Sequence, residues 1–202
     1  MQIEAIDFDA FGTLFDLEAL REPFGDEVFE GFAARLVPWT WHATAAGAFR
    51  PLPEVAEAAA EAAGASDPGA VADALKRLPV FPDVLPGLDA LRDRRLAVLS
   101  NGTVDGIRGL VANSQIEDRF EHLLAADQIE RYKPAPELYG LAPAAFGVDA
   151  SSVVLVSSNE WDITGAAQCG LRTAWLARGR EPSWVLGVEA DVVVDSISDL
   201  AG

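Results

Sequence analysis

The sequence predicts an α/β protein built on a mainly parallel sheet, with a block of helices inserted after the first strand. Three observations carry that prediction. Short β-rich runs alternate with helical patterns over the second part of the chain, and one strand-like stretch stands alone at its head. The helical stretch between them is too short for a second domain, because 202 residues exceed the roughly 150-residue domain prior only modestly.

Ile3 to Phe8 reads as the first strand, running into a tight turn at Gly12-Thr13. From Leu17 to about Leu78 the pattern is helical, over Glu27 to Leu36, Trp39 to Ala46, Glu54 to Ala63 and Pro68 to Leu78; Ala and Glu density favours the third. After Pro79 and Pro82 the pattern changes. Leu96 to Leu99, Leu123 to Ala125, Val153 to Val156, Thr173 to Leu176 and Val192 to Val194 read as strands separated by helices, and such βα repeats pair in parallel. Right-handed crossovers then bring the carboxyl ends of the strands to one edge, where open α/β sheets bind ligands.

The chain is acidic: 15 Lys plus Arg against 32 Asp plus Glu give a net charge of −17, and half of the residues are apolar. No nucleic-acid partner is expected, since phosphate binding needs clustered cations and the densest basic stretch is Arg92, Arg94 and Arg95, interrupted by Asp93. No apolar run reaches the roughly 18 residues of a membrane span and no signal-peptide pattern opens the chain, so a cytoplasmic location is expected. One cysteine, Cys169, excludes an internal disulfide framework and thiolate metal clusters, and His42 and His122 are far apart, so no zinc site is expected.

Four segments fall at or near the expected sheet edge: Asp9-Ala10-Phe11-Gly12-Thr13, Ser100-Asn101-Gly102, Lys133-Pro134-Ala135-Pro136, and Ser157-Ser158-Asn159-Glu160-Trp161-Asp162. Each has a local reading as a turn, a helix cap or a solvated lysine. Together they supply two carboxylates, hydroxyl and amide donors and an ammonium, a complete set for nucleophilic catalysis by a carboxylate. Lys133 is one of only two lysines, the other being Lys76, so its place in Tyr-Lys-Pro suggests a specific need.

These four motifs, in this order, resemble those of the haloacid dehalogenase superfamily, and within it the type II L-2-haloacid dehalogenases. The resemblance runs from Ile3 to about Asp195 and is weakest in the helical insertion. It implies a Rossmann-like core of residues 1–14 and 80–202 with a small helical cap, residues 15–79, inserted after the first strand. The first motif separates branches of the superfamily. Its phosphatases use Asp-x-Asp, the second acid protonating the leaving group and helping to hold magnesium, whereas two residues after Asp9 stands Phe11. A frame with Asp7 as nucleophile fits worse, and Asp7 reads as a structural or modulating acid sharing a face with Asp9. The fourth motif also resembles the dehalogenase pattern, which implies hydrolysis without metal or other cofactor.

Carried over by position, the resemblance implies that Asp9 attacks C2 of a short 2-haloalkanoate, leaving an aspartyl ester, and that Asp162 activates the water that cleaves it. Thr13 positions the nucleophile, Lys133 holds the carboxylates, and Ser157 and Asn159 orient the group. Ser100 and the amides of Ala10 and Phe11 take the substrate carboxylate. Asn101 meets the halide, Tyr139 supports the site, and Trp161 forms an apolar wall or packs in the core.

One expected part is missing. Aligning Trp39-Thr40-Trp41 with the family's aromatic-Thr-Trp sequence puts Ala33 where the halide-binding arginine belongs. Arg35, two residues away, is the nearest candidate for the halide, with Arg21 and Arg50 behind it; His42 reads as structural. Phe11 also replaces a more usual tyrosine. A hydrolase with another leaving group, such as a phosphatase, and a non-catalytic relative are the competing readings. A homodimer is the quaternary expectation.

Overall fold

The computed structural model describes residues 3–201, so the outermost ends of the expected core, Met1, Gln2 and Gly202, lie outside the described residues. Six strands form one sheet: β1 (Ala5–Phe8), β2 (Arg95–Ser100), β3 (His122–Ala125), β4 (Val153–Ser157), β5 (Arg172–Leu176) and β6 (Val192–Val194). Their order is β3-β2-β1-β4-β5-β6, and every pairing is parallel. The apolar runs read as strands are these six; β1, β2, β4 and β5 are buried along most of their length because helices cover both faces of a parallel sheet, while the edge strand β6 leaves Val192 and Val193 exposed.

The chain leaves β1 for β2 on one side and reaches β4 on the other, so the strand order reverses at β1. A crevice opens at such a point beyond the carboxyl ends of the strands. Register fixes what faces it: Phe8 pairs with Val98 and Val156, which sets Asp9, the next residue, level with Leu99 and Ser157.

Nine α-helices occur among the described residues. Five lie between β1 and β2: α1 (Arg21–Phe24), α2 (Asp26–Ala45), α3 (Leu52–Ala62) and α4 (Pro68–Ala74), with a 3-10 turn at Leu75–Arg77, and then α5 (Val84–Ala90), which leads into β2. α6 (Val104–Asn113) follows β2, α7 (Pro136–Tyr139) and α8 (Leu141–Phe146) follow β3, and α9 (Glu160–Gln168) follows β4. None is long and apolar enough to cross a membrane.

One helical expectation changes. Glu27 to Leu36 and Trp39 to Ala46 read as separate helical stretches, but one helix, α2, covers both and runs through Pro38 between them. Phe29, Phe32, Leu36 and Thr40 form an unbroken buried stripe at helical spacing, and packing of that stripe outweighs the lost bond. Pro38 and Ala34, whose carbonyl loses its donor, lie on the exposed side, where water substitutes.

Candidate active site

The first strand ends in a turn built to hold one carboxylate still. Asp9 extends the ladder by donating its N–H to the Val156 carbonyl (3.0 Å), and the Ala10 carbonyl then accepts from the N–H groups of Leu14 and Phe15 (both 2.9 Å). Gly12 makes the reversal at φ +80°, a conformation glycine adopts without steric cost. Two buried or half-buried N–H groups, of Ala10 and Phe11, have no acceptor among the described residues, which makes them free donors for an anion.

Asp9 is nearly fully buried, and three donors converge on it. Thr13 Oγ1 (2.9 Å) and Asn159 Nδ2 (3.0 Å) reach Oδ2, while Lys133 Nζ (3.1 Å) reaches Oδ1. Thr13 is itself aimed, because its hydroxyl accepts from the Ser158 N–H (2.9 Å) and so must direct its own hydrogen at Asp9. Lys133, wholly buried, also donates to Asp162 Oδ2 (2.9 Å), and Tyr139 donates its hydroxyl to Asp162 Oδ1 (2.7 Å). The ammonium thus sits between two carboxylates from different strand ends.

Burial pushes the Asp9 carboxyl above the usual carboxylate range; Lys133 pulls it back and Asp162 adds to the rise. For Lys133 burial acts to lower the value, but Asp162 and Asp9 outweigh it and hold the ammonium above its ordinary range. Tyr139 is raised by burial and by Asp162, which keeps its phenol a donor.

The other expected residues fall in three groups. Asn159 touches Asp9 directly, whereas Ser157 accepts the Asn159 N–H (3.2 Å) and acts on the nucleophile only through it. Asn101 accepts the Lys133 N–H on Oδ1 (2.7 Å), which leaves its amide nitrogen as the free donor, and it lines the cavity beside Asp9. Ser100 is buried at the end of β2 with its hydroxyl accepting from the Gly102 N–H (2.9 Å); it does not line that cavity. Trp161 does, and stacks edge-on with Trp41 at 5.7 Å.

The cavity measures about 70 Å³, and its far wall is Leu17, Leu36, Val37, Thr40 and Leu52. No cation lines it. Arg35 turns its guanidinium to the Gly31 carbonyl of its own helix (2.6 Å), and Arg21 is held by Glu18, Asp26 and Glu30. The helical offset of two residues from Ala33 explains Arg35, since it rotates the side chain by roughly 200°.

Three supporting residues were not legible as such. Arg178 donates to the Thr13 carbonyl (2.8 Å) and pairs with Asp83 (2.9 Å), tying the nucleophile turn to the segment after β5 and to the start of α5. Ser158 aims Thr13. Gly165 of α9 leaves room for Tyr139, whose ring and hydroxyl occupy the space a Cβ would need.

A family described as haloacid dehalogenase-like hydrolase matches residues 3–170. The chain is 34% identical to haloacetate dehalogenase H-2 of Moraxella sp. (strain B), over 88% of this chain and 87% of that protein. It is 32% identical to (S)-2-haloacid dehalogenase of Pseudomonas sp. (strain YL), over 90% and 89%. Its fold superposes on the L-2-haloacid dehalogenase of Xanthobacter autotrophicus with a TM-score of 0.92 at 27% identity, covering 99% of this chain and 97% of that one. A structure of the same Xanthobacter enzyme with chloropropionic acid covalently bound superposes with a TM-score of 0.90 at 26% identity, covering 99% and 97%.

Proposed function

The chain belongs to the family of haloacid dehalogenase-like hydrolases, and from that premise we propose that it hydrolyses the carbon–halogen bond of short 2-haloalkanoic acids through an ester on Asp9. In this reading residues 1–14 and 80–202 form the catalytic core and residues 15–79 the cap over it. The observation that carries the proposal is the single ammonium of Lys133 between the carboxylates of Asp9 and Asp162, beside a small cavity with apolar walls. That arrangement provides one carboxylate to attack and another to activate water.

The substrate carboxylate binds the free N–H groups of Ala10 and Phe11, a cradle of fixed dipoles that needs no cation. Asp9, pinned by Thr13, Asn159 and Lys133, presents an oxygen to C2. A carbon–oxygen bond forms as the carbon–halogen bond breaks, the halide leaves with the bonding pair, and C2 inverts. Asn101 offers its amide N–H to the departing ion. Asp162 then takes a proton from water, which attacks the Asp9 carboxyl carbon; the donors that held the carboxylate now hold the oxyanion. The hydroxyacid leaves, Asp9 is restored, and the proton passes to solvent.

Phe11, two residues after the nucleophile, can neither bind a metal nor donate a proton, which favours this reading over phosphate-ester hydrolysis. The test is halide release from L- and D-2-chloropropionate, chloroacetate and fluoroacetate, each in EDTA and each against Asp9→Asn. Release that resists EDTA, prefers the L isomer and disappears in Asp9→Asn is expected. Silence on all four, with magnesium-dependent turnover of a phosphate ester, overturns it.

A further inference from the structure

Next to the Asp9 cavity lies a larger recess that the reaction above does not use. It measures about 520 Å³ and runs between the cap and α6, walled by Leu52, Ala72 and Leu75 on one side and Ile107 and Leu110 on the other. That volume is within the range of small-molecule sites. Phe11 and Leu52 line both the recess and the cavity, so the Phe11 ring is a partition between them. Gly102 allows the ring its place, since a Cβ there would sit 3.3 Å from Phe11 Cε2 and 3.3 Å from Ile107 Cδ1. The charged residues that line it, Lys76, Arg77 and Asp105, are all exposed to solvent, with Lys76 paired to Asp73 and Asp105 to Arg108, while the buried residues of its wall are all apolar. An apolar slot opening off a haloacid site fits a hydrocarbon chain rather than a second anion.

We propose that Phe11 is the specificity-determining residue that restricts the reaction to short 2-haloalkanoates, by closing off a recess that would otherwise take a longer alkyl chain. The proposal rests on the dehalogenase reading of Asp9. With the ring in place, the cavity admits a hydrogen or a methyl group on C2. With the ring shortened, a butyl tail passes Leu52 into the recess, while the bonds made and broken at C2 stay the same.

The experiment compares kcat/KM for bromoacetate and L-2-bromohexanoate in the wild type, in Phe11→Ala and in Phe11→Ala combined with Gly109→Trp. Gly109 lines the recess from α6 and its Cβ position is open, so a tryptophan there fills the recess away from Asp9. The long-to-short ratio should rise about tenfold or more in Phe11→Ala, the scale on which a hydrophobic pocket discriminates chain length, and return to the wild-type value in the double variant. An unchanged ratio in Phe11→Ala, or a rise that survives Gly109→Trp, overturns the role of Phe11 alone. If the wild type releases no bromide from bromoacetate, the dehalogenase reading falls and the role of Phe11 with it. Should Phe11→Ala not fold, Phe11→Leu carries the same comparison with an expected rise of about threefold.

Discussion

Asp7 and Asp9 stand two residues apart on the same side of the extended first strand, both buried, and they differ in their partners: three donors reach the Asp9 carboxylate, while neither oxygen of Asp7 has a partner among the described residues. The local charge explains how both can be accommodated. One ammonium cannot neutralise three carboxylates, so the unpartnered one is held as the acid. Burial, reinforced by Asp162 and Asp9 and opposed by Lys133, raises Asp7 to about 8.

A pH dependence of stability follows. The folded chain holds a proton on Asp7 that the unfolded chain releases near the ordinary carboxylate value of about 4. This contribution is therefore fully present below about pH 4 and is lost as pH rises through about 8, on the order of 5 kcal/mol in all. Thermal unfolding from pH 5 to 9 should show Tm falling in the wild type and a flatter profile in Asp7→Asn, which keeps the shape and cannot ionise. Parallel profiles for the two proteins would assign the titration to another group.

Lys133→Met should be among the most damaging single changes in the chain. It leaves two buried carboxylates without their shared cation, a loss of about 3–5 kcal/mol. Combining it with Asp162→Asn should recover part of that loss, measured as a coupling energy in a double-mutant cycle by urea unfolding. Strict additivity would mean that the ammonium does not bridge the pair.

Asn101→Asp separates two functions of one side chain. The carboxylate can still accept the Lys133 N–H but has no amide hydrogen for a halide and places a negative charge where one departs. Turnover should fall about 100-fold or more, with Tm changed little. A Tm loss in proportion to the activity loss would make Asn101 a structural anchor only.

Tyr139 and Gly165 test the second half of the reaction. Tyr139→Phe removes the hydroxyl donor to Asp162 without changing volume, so ester cleavage should slow by about tenfold and a covalent adduct should accumulate on Asp9, visible in intact-protein mass spectrometry after rapid quenching. Gly165→Ala forces Tyr139 to move and should cost about 1–3 kcal/mol of stability as well. An adduct level equal to wild type in Tyr139→Phe would remove the tyrosine from the hydrolytic step.

Much of this is visible along the chain because the signals are local. Runs such as Leu96 to Leu99 and Val153 to Val156 are apolar and short enough to be buried strands, and polar residues directly after them in a parallel sheet must gather at one edge. Pro38 shows the limit: its local preference against helix is real, and a buried stripe formed with distant residues overrides it.

By itself the sequence determined the parallel α/β architecture, the chemistry available at its edge and the absence of a second acid after Asp9, because these depend on residue type and order. Only the tertiary structure decided which donor meets which oxygen. Thr13 reaches Asp9 because Ser158, 145 positions on, orients it, and Ser157 serves Asn159 instead of the nucleophile. The structure likewise decided that Arg35 turns to its own helix and that Phe11 divides two cavities. Hydrogen bonds and cavity walls are made across the fold, over distances of a few ångströms that sequence separation does not encode.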